Sequence, residues 1–190
     1  MKLMPSYNAP VTLTFTLISM VVLALSLILP GQAINDLLGA PTSISFGSLM
    51  FYPNLVTHIF AHANWAHFWG NFSFLLLLGP LLEEKYGSGK LFLLIIATAL
   101  FTAVLNATLF STGLIGASGI VFLFIVLGSF AGENKGRIPM TFILIFGIYM
   151  TKEIVSALQP DNISQFAHLM GGFCGSAFGF LVTKKARQIK

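Results

Sequence analysis

Charge is what this sequence has least of. Lys and Arg number ten and Asp and Glu six, so 8% of the 190 residues are charged while 56% are hydrophobic. A soluble domain carries roughly a quarter charged residues. A water-soluble fold of this composition would leave too much apolar surface in contact with solvent. Cysteine is almost as scarce: Cys174 stands alone, which excludes an internal disulfide. It lies in an apolar stretch and reads as a small core residue. The net charge of +4 is not gathered into a nucleic-acid-binding face. The basic residues sit in small clusters beside apolar runs, where positive charge sets membrane topology. No cofactor is implied.

What the chain has in abundance is apolar runs. Six segments can be drawn, at about 10–30, 57–82, 90–110, 116–132, 138–158 and 166–183. Each membrane span needs about 20 residues, so six spans with short loops fill the chain as a single domain over 1–190. The first segment has no small-residue cleavage signature and reads as a retained span. Lys2, Lys85, Lys90, Lys135, Arg137, Lys184, Lys185, Arg187 and Lys190 fall on alternate connections and at the ends. The connections 31–56, 111–115 and 159–165 contain no Lys or Arg, and only Lys152 lies inside a segment. The positive-inside rule then predicts an all-α bundle of six transmembrane helices with both termini in the cytoplasm. The connection 31–56 is mostly apolar and is expected to lie partly in the membrane interface.

The fourth segment is short. From Ser118 to Gly132, a helix reaches about 22 Å, against a hydrocarbon core of about 30 Å. Gly113, Gly116 and Gly119 make the chain before it irregular. Non-helical backbone at that depth is tolerated only where it is buried in protein or lines a water-filled cavity. The head of this segment is therefore the first place to look for a site.

Polar residues inside a membrane segment are costly and mark function or pairing. His67 and Asn71 are four apart and share a helix face, with Gly70 beside them. Taken alone they also fit an interfacial pair next to Trp65 and Trp69. Ser118 stands among small residues in Gly116-Ala117-Ser118-Gly119, where it is either accessible or a helix cap. His168 heads the sixth segment, and Gly171, Gly172, Gly175 and Gly179 fall within about 60° of its face. Such a stripe lets two helices touch backbone to backbone. Together these groups match acyl-transfer chemistry: a serine needs a base, histidine suits that task, and an oxyanion needs aimed donors. His67, Asn71 and the Ser118 N–H are the available donors. Phe122 lies one turn after Ser118 and could support the imidazole. No acid is placed to orient His168 unless Asp161 approaches from its loop, so a Ser–His dyad is expected. Two other readings stay open. One is a non-catalytic protein that escorts membrane helices. The other is a metal site on His58, His62, His67 and His168, although H-E-x-x-H is absent.

These motifs together resemble the rhomboid intramembrane serine proteases, from about His58 to Gly179. His58-x3-His62-x4-His67-x3-Asn71 is similar to the family's histidine-rich segment and oxyanion pair. The stretch Gly79–Leu91, with Glu83 and Gly87-Ser88-Gly89, resembles the segment between its second and third spans. Gly116-Ala117-Ser118-Gly119 fits its nucleophile motif, and Ala167-His168-x2-Gly171-x3-Gly175 its catalytic-histidine motif. The resemblance implies a six-span core that cuts single-span membrane-protein substrates within the lipid bilayer. It implies Ser118 as nucleophile, His168 as general base and acid, and His67, Asn71 and the Ser118 N–H as oxyanion donors, with no metal. Glu83 would be structural and His62 supporting, as would Gly116, Gly119, Phe122, Gly171 and Gly175. The chain departs from the family where Phe122 replaces a frequent Tyr, and where Pro53-Asn54 stands in place of a frequent Trp-Arg pair. The fifth span, with Phe142, Phe146 and Tyr149, is a gate by the same analogy. The short chain fits a bacterial plasma membrane.

Overall fold

Helix is the one regular structure formed by the described residues, as the apolar runs require. A computed structural model describes residues 6–29, 33–110, 113–131, 137–157 and 165–188. The helices are α1 (Pro10–Ile28), α2 (Ala33–Leu38), α3 (Phe51–Thr57), α4 (Trp65–Tyr86), α5 (Ser88–Leu109), α6 (Ser118–Ser129), α7 (Met140–Ala157) and α8 (Gln165–Gln188). Each of the six apolar segments holds one of the longer helices, and α2 and α3 occupy the 31–56 connection. By length and composition α1 and α5 can each cross a membrane, and α6 is apolar but shorter. Lys135, Asp161 and Lys190, and the side chains of Tyr149, Lys152, Lys184, Lys185 and Arg187, lie outside the described set.

The bundle is built around α6. Every residue from Gly119 to Leu127 is buried. Its most extensive contact is with α8, and α4, α5 and α7 complete the surround. The outer faces are apolar: Leu77, Leu93, Ile148 and Leu181 are each about two-thirds exposed. The polar side chains Thr12, Thr16, Ser19, Thr98, Thr102 and Asn106 turn inward. That distribution inverts the soluble pattern and suits a hydrocarbon surround.

The second and fourth segments differ from the sequence expectation. The second helix begins at Trp65, eight residues later than 57, because Asn64 takes an extended conformation (φ −166°, ψ 174°) and its side chain accepts the His67 N–H at 2.8 Å. His58 and His62 therefore precede α4 and share no helical face with His67. The helix α6 has 12 residues, about 18 Å, and is shorter still than expected. Its end is tied by Lys85, whose Nζ donates to the Phe130 carbonyl at 3.3 Å and to the Ala131 carbonyl.

Lys85 has a counterpart two residues earlier. The cap residue of α1, Ala9, offers no side-chain acceptor, and Pro10 lacks an N–H. Glu83 supplies what is missing from another helix. Its Oε1 accepts the Thr12 N–H and Thr12 Oγ1, each at 2.7 Å, and its Oε2 accepts the Val11 N–H at 3.2 Å and Ser88 Oγ at 2.7 Å. One end of α4 thus places a carboxylate at the start of α1 and an ammonium at the end of α6, each on the favourable pole of its helix dipole. Glu83→Ala is expected to cost about 3 kcal/mol, since buried N–H groups lose a charged acceptor. Thermal unfolding in detergent checks it, with a smaller loss for Glu83→Gln.

Candidate active site

The opposite end of the bundle gathers the residues picked out by the sequence. The Asn64 cap sets the register of α4, so that His67 and Asn71 project from one face a turn apart. The chain before Ser118 is laid across this pair. The Gly116 N–H donates to the His58 carbonyl at 2.9 Å. Gly116 has φ +111°, a conformation that side-chain-bearing residues avoid. A Cβ there would also stand 2.7 Å from His67 Cε1 and 3.7 Å from Asn71 Nδ2. Only glycine lets this segment pass so close to the His67 ring. The next residue is held as well, its Ala117 N–H donating to His62 Nε2 at 3.3 Å.

Ser118 then opens α6. The cap position belongs to Ala117 (φ −86°, ψ 7°), and no side chain caps the helix. The capping role allowed by the sequence is therefore not the one Ser118 has. At the first helical position it lies at the positive pole of α6, and its own N–H has no partner within the helix. Ser118 is half-buried while Gly116, Ala117 and Gly119 around it are buried.

His168 arrives through the glycine stripe. A Cβ on Gly171 would overlap the Gly119 carbonyl oxygen, one on Gly172 would lie 3.1 Å from the Phe122 ring, and one on Gly175 would lie 3.0 Å from the Leu123 carbonyl. Gly179 meets Phe130 in the same way. Contact positions rise together on both helices, so α6 and α8 run parallel with backbones touching near their starts. His168, three residues before Gly171, is level with the head of α6. Its ring lies face to face with Phe122, with centroids 5.4 Å apart and planes 5° apart. His168 is also within electrostatic reach of His67. Cys174 is partly buried against the core, beside Thr98.

Two features were not read from the sequence. Behind Gly116 and Gly119 is a small cavity lined by His58, Thr98 and Thr102 among others. His58 Nδ1 and Thr102 Oγ1 are buried there with no protein partner among the described residues, a polar niche about the size of one water. Threonines four apart inside an apolar helix were the available signal. The other is the set of bonds around His62, which joins segments 55 residues apart and leaves no local trace. The His58 and His62 rings turn to separate partners, Ala99 in one case and Phe60, Asn71 and Ala117 in the other.

Comparison with known proteins gives the family. A profile described as a Rhomboid domain matches residues 50–185. The chain is 29% identical over 164 residues to "Rhomboid-like protein 11, chloroplastic" of Arabidopsis thaliana, covering 72% of this chain and 57% of that one. It is 30% identical over 140 residues to "Rhomboid-like protease 1" of Toxoplasma gondii, covering 69% and 47%. It is 29% identical over 133 residues to "Rhomboid protease GlpG" of Serratia proteamaculans, covering 68% and 48%. The chain thus spans about half the length of these relatives. Their sources differ, so membership assigns a membrane location without choosing the membrane. With the family profile laid over the helices that carry Ser118, His168, His67 and Asn71, this chain belongs to the rhomboid family and is an integral membrane protein.

Proposed function

We propose that the chain is an intramembrane serine endopeptidase that cuts transmembrane segments of single-span membrane proteins with a Ser118–His168 dyad. The observation that carries the reading is an uncapped serine at the head of buried α6, level with His168 on touching helices and beside His67 and Asn71. In this reading α1 and α4 to α8 are the six spans, both termini are cytoplasmic, and α2 and α3 lie in the outer interface. The placement of basic residues supports that orientation.

Ser118 Oγ attacks the substrate carbonyl as His168 takes its proton. Negative charge on the carbonyl oxygen is met by His67, Asn71 and the Ser118 N–H, assisted by the positive pole of α6. His168 returns the proton to the leaving amine, and water resolves the acyl-enzyme. Phe122 holds the imidazole by its face.

A substrate helix needs a way in from lipid. Among the described residues α4 and α7 make no contact with each other. A groove lined by Leu78, Leu81, Ile125, Gly128, Thr141 and Ile145 lies between them at the Lys85 end of the bundle, so a helix entering there must follow α6 toward Ser118. Phe142 of the suggested gate packs on Phe130 and Phe180, and Phe146 packs on Phe142, so a moving α7 must release that aromatic cluster.

A serine-directed fluorophosphonate tests the reading. The wild-type protein is expected to be labelled at Ser118 and Ser118→Ala to remain unlabelled. A wild-type protein that resists the probe would overturn the proposal and favour a non-catalytic helix-binding role.

A further inference from the structure

The bonds around His62 fix its chemistry. The residue is fully buried. A backbone N–H can only donate, so the Ala117 N–H at 3.3 Å makes His62 Nε2 an acceptor. A carbonyl can only accept, so Nδ1, 3.1 Å from the Phe60 oxygen, carries the proton. Both contacts demand the same neutral tautomer. The Asn71 amide nitrogen, 3.1 Å from Nε2, then donates to the same lone pair. That orients the amide of Asn71, spending one N–H on His62 and leaving the second for another acceptor. His62 thus bonds to two separate elements at once: α4 through Asn71, and the strand entering α6 through Ala117.

We propose that His62 is a positioning residue that couples the two arms of the oxyanion site, setting the Asn71 amide and the Ala117–Ser118 backbone against each other through one shared lone pair. The inference rests on the protease reading above. It implies that the arms are not independent. When His62 loses its acceptor, both Asn71 and the Ser118 N–H drift from the developing charge, and the loss falls on kcat and not on KM.

The test is a double-mutant cycle on cleavage of a model membrane substrate, using full-length protein. Leu at 62 fills the space without an acceptor, and the Gln side-chain oxygen can reach the Nε2 position. His62→Leu is expected to lower kcat about 100-fold with KM nearly unchanged, and His62→Gln to recover about tenfold of that. In an Asn71→Ala background, His62→Leu should cost only a few-fold more, because one arm is already gone. Additive losses, or a Gln variant no better than Leu, would overturn the inference. If His62→Leu does not fold, the cycle is run with His62→Gln, and additivity there is equally decisive. Ser118→Ala separates the two layers. An active Ser118→Ala sinks the protease reading, whereas an inactive one with additive His62 effects sinks this inference alone.

Discussion

Ser118→Ala is expected to lower cleavage of a membrane substrate by roughly 10⁴-fold or more, with the protein as stable as before. The size follows from removing a nucleophile from a unit that acts together. The unchanged stability follows from the position of the side chain. A serine that capped its helix would cost about 1 kcal/mol on truncation. Ser118 is the first helical residue, and no side chain caps α6. Activity and folding are therefore separable at this position, which is rarely so for a buried helix start. His168→Ala is expected to lose as much, and the double variant no more than either one, since a base without its nucleophile has nothing to activate. Cleavage assays and thermal unfolding on the same preparations check all three. Undiminished cleavage by either single variant would remove it from the dyad.

Gly171→Ala should be the most damaging methyl among the described glycines, since its Cβ would make the closest backbone clash of them. Its Cβ would overlap the Gly119 carbonyl oxygen, and neither backbone can rotate away as a side chain would. The two helices must separate, at a cost of about 1–3 kcal/mol for the overpacking. Separation carries His168 away from Ser118, and a misplacement of about 1 Å can cost 10²-fold in rate. Gly171→Ala is therefore expected to lose both stability and about 100-fold in activity. Gly70→Ala, where a Cβ meets nothing within 4 Å, is the matched control and should change little. A stable, active Gly171→Ala would mean that α8 meets α6 some other way.

What could be read in the sequence was whatever repeats along one element. The apolar runs foretold the long helices, the four-residue spacing of His67 and Asn71 foretold a common face, and the stripe from Gly171 to Gly179 foretold a close helix contact. What could not be read was decided between elements. The run 57–82 reads as one mostly apolar segment, yet α4 starts at Trp65 because Asn64 caps it and because the His58 carbonyl is claimed by Gly116. The end of α6 depends on Lys85 from another helix. Whether Ser118 caps α6 was open for the same reason, because the cap position is not fixed until the N–H partners are known. His62 is the extreme case, its tautomer being set by a peptide 55 residues away.

The ties made by Glu83 and Lys85 have a mechanical consequence. They fasten the starts of α1 and α5 and the end of α6 to a single turn of α4, forming a fulcrum. The helix α7 is outside that fastening, and among the described residues it contacts α6 and α8 alone. For the gate proposed above, this arrangement implies that α7 swings as a lever arm while the ties keep α1, α4, α5 and α6 together, as a pair of tweezers opens without loosening its rivet.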